Sequence, residues 1–407
     1  MKLLYIGDNR RSRNIGGRST NISLLKIIAK LSSNIITLPH WHGEIDGRIS
    51  DTEANEVLFK KQYEHDFINC EEMIKTCDAI VVSAEGNCLF TSPIRNELAY
   101  FLIVFKLCIK YNKPYCLVNA GISPPIDIES NGLKFLSPNK EILDECIRYF
   151  KKAALVVVRE KLSFDFLKKY DIEGRINLHF VPDALFGLYD FYEQHSEIFD
   201  SSLKHPEFCI GHDRNESAVS KFDFEKPYVL LSGSAFVTRY GNENKAEQFA
   251  ALAMALKKML SSYSAKLYLI ECCDGDSIFR FQVPTMTGIP YIPVNTNIFL
   301  LGRILSRCIC FVSGRFHPSI FASFGGAKLI LLGSDSHKIQ GLPLLLDYPT
   351  EIHQAVPNTD EIALIVDEVK QCFTSPASRN TIKAVSRRNY ELTMRYPDLI
   401  LSSLRGV

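Results

Sequence analysis

Residues 309–332 read ICFVSGRFHPSIFASFGGAKLILL. Ile309–Val312 is a short apolar run, and Leu329–Leu332 is a second one. Between them a helical pattern opens at Pro318, a residue suited to the first turn of a helix. A strand, a helix and a strand at this spacing form the unit of a parallel sheet covered by helices. Small and polar residues follow the first strand directly: Ser313, Gly314, Arg315, Phe316 and His317. In open parallel sheets ligands bind outside the carboxyl ends of the strands, so these residues are the first candidates for a site.

The same unit recurs in both directions. Upstream, apolar runs at Lys2–Ile6, Ile35–Leu38, Ala79–Ser83, Tyr115–Asn119, Leu155–Val158 and Leu178–Val181 are predicted strands. Helical patterns lie between them at Asn21–Leu31, Glu97–Lys110, Lys140–Phe150 and Ser163–Lys169, and a long polar segment separates the second strand from the third. This predicts one doubly wound domain over residues 1–195. The rhythm fails over 196–226, which is rich in His, Ser, Asp and Glu and reads as a linker. It resumes with strands at Tyr228–Leu231 and Lys266–Ile270, a helix at Lys245–Leu260, a Pro/Thr-rich loop at Gln282–Val294 and a helix at Ile298–Ser306. Residues 227–376 are therefore a second domain, and 377–407 are amphipathic helices placed to cross back to the first. The expected fold is α/β, with two Rossmann-like domains facing across a cleft.

Composition narrows the function. The chain has 407 residues, 46% apolar and 23% charged, with a formal net charge of +1. It is a folded protein without the global basic field that holds nucleic acid, so an anionic ligand must be held by local charge. Cys108, Cys116, Cys308 and Cys310 lie inside apolar runs, as small core residues do, and the expectation is reduced thiols in a cytoplasmic protein. Neither Cys70 with Cys77 nor Cys272 with Cys273 has the spacing of a metal site, and no metal or other cofactor is expected. Ala99–Ile109 is too short to span a bilayer, which leaves peripheral attachment at the inner membrane face open.

The strand ends carry the remaining candidates. After the first strand a basic loop with Asn14, Gly16 and Arg18 runs into a helix N-terminus, an arrangement suited to anions. Glu85, followed by Gly86, ends the third strand and is a candidate base. Arg159 and Glu160 leave the fifth strand ahead of Ser163, and Asp183 follows the sixth. In the second domain Ser232 and Gly233 allow close backbone approach. Three carboxylates surround two cysteines between Glu271 and Asp276. Arg315 offers a planar fork for carboxylate or phosphate, His317 exchanges a proton near neutral pH, and Ser334 and Lys338 follow the next strand.

In these residues the chain resembles the polysaccharide pyruvyl transferase family. The resemblance runs from the Gly7-Asp8…Asn14-Ile15-Gly16 loop through Glu85-Gly86, Val158-Arg159-Glu160 with Ser163, and Asp183, to Arg315-Phe316-His317 with Lys338. It implies a glycosyltransferase-B-like fold and transfer of pyruvate from phosphoenolpyruvate to a sugar diol of a surface polysaccharide. Catalysis would fall to His317 with Glu85 or Glu160. Arg315, Lys338, Arg159, Ser232, Gly233 and Ser334 would hold the donor, and Asn14, Gly16, Arg18 and Asp183 the acceptor or an anion. The acceptor would be a glycan or a lipid-linked oligosaccharide. A glycosyltransferase of the same fold using a nucleotide-activated sugar such as CMP-Kdo is the alternative. Ala84, Gly17 and Ser19 depart from the family pattern.

Overall fold

The structure is a computed structural model and describes residues 1–41, 43–206, 222–241, 243–374 and 378–405. Two six-stranded sheets organise it, and every strand pair in them is parallel. The first contains β1 (Lys2–Asp8), β2 (Asn34–Pro39), β3 (Ala79–Ser83), β5 (Tyr115–Ala120), β7 (Leu155–Val158) and β8 (Leu178–Phe180), in the order β2-β1-β3-β5-β7-β8. A two-stranded parallel ribbon joins β4 (Cys88–Leu89) to β6 (Ile122–Ser123). The second sheet contains β9 (Tyr228–Ser234), β10 (Lys266–Ile270), β11 (Tyr291–Ile292), β12 (Cys310–Gly314), β13 (Lys328–Leu332) and β14 (Ile352–His353), in the order β11-β10-β9-β12-β13-β14.

Helices cover both faces of each sheet, so the strands are apolar on both sides. Leu4, Ile6, Ile80 and Val82 face the helix Asn96–Lys110. Leu3, Tyr5 and Val81 face the helix Ile15–Ile28 on the other side. Tyr396 and Ile400 of the final helix, Tyr396–Arg405, are buried in that same cluster against the first sheet. In both sheets the strand order reverses beside the first strand, between β1 and β3 and between β9 and β12. These are the switch points at which open sheets bind ligands.

The long polar segment before Ala79 contains two helices, Thr52–Gln62 and Glu64–Thr76. Asp51 caps the first, and Phe59, Phe67, Cys70 and Ile74 are buried. So few apolar positions among so many charges leave the periodicity weak in the sequence. The segment expected as a loop at 282–294 likewise holds the short helix Val283–Thr287 and strand β11. The stretch 196–226 begins as a helix, Ser196–Leu203, with Phe199 and Leu203 buried. Residues 207–221 lie outside the described residues. Among the described residues the cysteines are free thiols, and no helix is long and apolar enough to cross a membrane.

Candidate active site

A cavity of about 200 Å³ lies where the carboxyl ends of the two sheets meet. Loops after β1, β3, β7, β9, β10, β12 and β13 all contribute to its wall. Cations dominate the lining: Arg95, Arg159, Arg239, Arg315 and Lys338 stand against Glu85 and Asp335.

His317 lies in the first turn of the helix Phe316–Phe324. Its Nε2 is 2.9 Å from Arg159 Nη1 and 3.3 Å from Asp183 Oδ2. Arg159 Nη1 also donates to Asp183 Oδ2 at 3.0 Å, inside a wall where both side chains are buried. Burial alone would raise the Asp183 carboxyl, but His317 and Arg159 outweigh it and hold it at about 2. The other imidazole nitrogen, Nδ1, packs on Gly16, where a Cβ would come within 2.1 Å of it. Gly16 is thus the space His317 occupies.

Arg159 is accommodated in the same way. A Cβ on Gly86 would lie 3.1 Å from its Nη2, and one on Gly121 would lie 3.1 Å from its Nε. Its guanidinium stacks over the Phe316 ring at 4.9 Å, a cation–π contact. Arg315 donates through Nη2 to Thr238 Oγ1 at 2.8 Å and to Asp276. Burial would lower the Arg315 pKa, but the Asp276 carboxylate more than reverses it and the guanidinium stays charged. The Nε of Arg159 and the Nε of Arg315 are buried with no hydrogen-bond partner among the described residues. Both Nε atoms are enclosed in the wall, so what the two guanidinium groups offer an anionic ligand in the cavity is their charge.

Lys338 opens the helix Lys338–Leu345 and its Nζ lies 3.1 Å from Asp335 Oδ1, while Arg239 pairs with the other oxygen of the same carboxylate. Burial lowers the Lys338 pKa, and Arg239 and Arg159 add to this against Asp335. Asp335 in turn is held well below the usual carboxylate range, Lys338, Arg239 and Arg95 overcoming its burial. Across the cavity Glu85 lies in the turn two residues past β3 at φ 48, an uncommon conformation for a residue with a Cβ. Its Oε1 accepts from Asn21 Nδ2 at 2.6 Å and from Asn9 Nδ2 at 3.4 Å, which fixes the carboxylate beside the cavity.

Of the residues singled out in the sequence, Asn14, Gly16, Glu85, Arg159, Arg315, His317 and Lys338 line this cavity. Asp183 sits directly behind it. The others lie elsewhere. Glu160 caps the helix Lys161–Tyr170, accepting from Leu162 N–H at 2.8 Å, and faces His337 at 3.1 Å rather than the cavity. Arg18 donates to the carbonyls of Val294 and Thr296, at 3.2 and 3.3 Å. Ser232 lies inside β9 with its Oγ against Cys272 Sγ, Gly233 packs on Phe279, and the buried Ser334 hydroxyl turns to Asp335. The helix N-terminus after β1 is closed by its own cap: Asn14 Oδ1 accepts from the N–H groups of Gly16 and Gly17, at 2.9 and 3.3 Å. Arg95 and Arg239 are additions to the sequence reading.

A sequence model of the family described as polysaccharide pyruvyl transferase matches residues 13–336. No curated protein matches the chain. Among solved structures it is similar to UDP-GlcNAc 2-epimerase from Neisseria meningitidis bound to UDP-GlcNAc, at 10% identity and TM-score 0.60 over 100% of both chains. It is also similar to an S. aureus MnaA–UDP structure, at 11% identity and TM-score 0.55 over 98% of each chain. A UDP-glucosyltransferase from Polygonum tinctorium follows at 10% identity and TM-score 0.53, over 99% of this chain and 98% of that one. At such identities the likeness concerns the fold: two Rossmann-like domains of the glycosyltransferase-B type.

Proposed function

The chain belongs to the polysaccharide pyruvyl transferase family, and on that premise we propose that it moves pyruvate from phosphoenolpyruvate onto two hydroxyls of a saccharide, closing a cyclic ketal. The observation that carries this reading is a small cationic cavity enclosing a histidine whose Nε2 is already engaged by Asp183 and Arg159. Phosphoenolpyruvate is a three-carbon molecule with a carboxylate and a phosphate at adjacent positions. Arg315, Arg159 and Lys338, which line the cavity, supply the matching positive charge. A cavity of about 200 Å³ accommodates a donor of this size.

The chemistry follows from these positions. His317 gives a proton to the methylene carbon, which becomes a methyl group, and positive charge develops at the neighbouring carbon. One acceptor hydroxyl attacks that carbon while Glu85 takes its proton. The carbon–oxygen bond to phosphate breaks, and the phosphate leaves with the charge held by the cations. The second hydroxyl attacks the same carbon and closes the ring. Its proton is released, while the proton on Glu85 restores that lost by His317 through solvent. The acceptor is a glycan or a lipid-linked oligosaccharide at the inner face of the membrane.

Incubation with phosphoenolpyruvate and a cell-envelope glycan should release inorganic phosphate and add a ketal methyl resonance to the glycan. Thermal stabilisation by CMP with none by phosphoenolpyruvate would replace this reading with glycosyl transfer.

A further inference from the structure

A second hollow, of about 500 Å³, adjoins the first and shares Arg95, Arg239 and Asp335 with it. Its walls come from both halves of the molecule. Pro93 and the loop 125–136 belong to the first, and Tyr240, just past the helix Ala235–Arg239, to the second.

The loop is built to hold its shape. Leu136 N–H donates to the Pro125 carbonyl at 2.9 Å, and Ile126 bridges to Phe135. Its tip is clasped by the second half: the Asn131 carbonyl accepts from Ala355 N–H at 2.9 Å, and Asn131 Nδ2 donates to the Val356 carbonyl at 3.1 Å. Gly132, at φ 85, is in a conformation that favours glycine, and a Cβ there would lie 2.9 Å from the Gly333 carbonyl carbon. The groove therefore exists before any ligand arrives, which favours affinity.

Its surface is divided by chemistry. Apolar carbon from Ile128 and Leu136, 53% and 54% exposed, lies in the same hollow as the half-buried Tyr240 ring. Charged groups gather at the end shared with the catalytic cavity. A pyranose carries the same division, with C–H faces that stack on aromatic rings and hydroxyl edges that bond to charged groups. A prenyl chain would match only the apolar part.

We propose that this groove is the acceptor site, taking a saccharide with a sugar face on Tyr240 and its hydroxyls directed past Arg95 and Arg239 into the catalytic cavity. The proposal rests on pyruvyl transfer for the reaction served, whereas the saccharide site rests on the groove. It moves the acceptor away from Asn14, Gly16, Arg18 and Asp183, the residues expected to hold the acceptor or an anion.

The test uses the full chain on an array of immobilised bacterial surface glycans. The dissociation constant of a retained glycan is then measured for the wild type, Tyr240→Ala and Leu136→Asp. Leu136 is exposed, so its variant should fold even if Tyr240→Ala does not. Phosphoenolpyruvate affinity is measured by calorimetry on the same three proteins. Each substitution should weaken glycan binding about tenfold, the scale of a lost aromatic contact, and leave phosphoenolpyruvate affinity within about twofold. Retention of no glycan, or equal glycan binding by all three proteins, would overturn the proposal. Glycan binding that depends on Tyr240 without any binding of phosphoenolpyruvate would uphold the groove and remove the donor reading alone.

Discussion

The Nε2 of His317 lies 3.3 Å from Oδ2 of Asp183, and the contact joins the two halves of the molecule. Asp183 follows β8 of the first sheet, and His317 follows β12 of the second. The same oxygen accepts from Arg159 at 3.0 Å, so one buried carboxylate fixes both the proposed acid and a donor-binding cation. The cavity thus depends on how the halves meet, as well as on which residues each contributes.

Asp183→Asn removes the partner of a fully buried guanidinium, and breaking such a pair leaves an uncompensated charge. The expected destabilisation is about 3 kcal/mol by urea unfolding, with a loss of phosphate release exceeding about 100-fold. The pH dependence has a definite sign. The Asp183 carboxyl is depressed to about 2 in the folded protein, so the unfolded chain takes up its proton first as pH falls. The contribution of Asp183 is complete above about pH 5 and is lost between about pH 4 and pH 2, amounting to about 2–3 kcal/mol. Asp183→Asn should lack that part of the wild-type acid transition; an unchanged acid limb would contradict the assignment.

Gly16→Ala places a Cβ where the His317 ring now lies, 2.1 Å from Nδ1. The ring must move, and a displacement on the order of 1 Å at a reacting group costs about 100-fold in rate. Helix propensity improves with alanine, so circular dichroism should show no loss of fold. In a His317→Ala background the same substitution should have little further effect on rate, a non-additivity that identifies the contact. Additive losses would show that Gly16 acts through something else.

The sequence disclosed the strand ends better than the rest of the cavity. Glu85, Arg159, Arg315 and His317 follow apolar runs directly, and the sheet carries such residues to the cleft. Arg239 was hidden because it ends a short helix one turn beyond β9. Arg95 precedes the helix Asn96–Lys110, far along the chain from the end of β3. Ser232 misled for the opposite reason: it lies within β9, where its side chain is enclosed against Cys272. Glu160 and Asn14 show that a polar residue before a helix is as readily a cap as a ligand. Nothing local distinguishes the two.

Lys338 is the cation whose charge depends most on pH. Burial lowers its pKa, so it loses its proton at a lower pH than an ordinary lysine. If it binds the donor as a cation, phosphoenolpyruvate affinity should fall on the alkaline side before free lysine titrates. Lys338→Arg should move that fall to higher pH, because guanidinium stays charged. Lys338→Met should weaken binding by about 10-fold or more at pH 6, and its deficit against wild type should shrink as pH rises and Lys338 loses its charge. Calorimetric titration from pH 6 to about 10 would decide, and identical alkaline limbs for wild type and Lys338→Arg would exclude this role.

His353 tests the structure far from the chemistry. It is buried on β14 between two carboxylates of the helix Thr359–Thr374, with Nδ1 2.5 Å from Glu361 and Nε2 3.0 Å from Glu368. Burial would lower its pKa, but the two carboxylates reverse this and raise it above the ordinary histidine value. The folded protein therefore holds this proton more tightly than the unfolded chain. The resulting stability is fully present below about pH 6 and is lost as pH rises through the raised folded value. His353→Gln should be less stable than wild type by about 1–2 kcal/mol at pH 6, and the difference should shrink steadily towards pH 9. Urea unfolding across that range measures it directly. A pH-independent difference would mean that packing, rather than the charged imidazole, ties this helix to the second sheet.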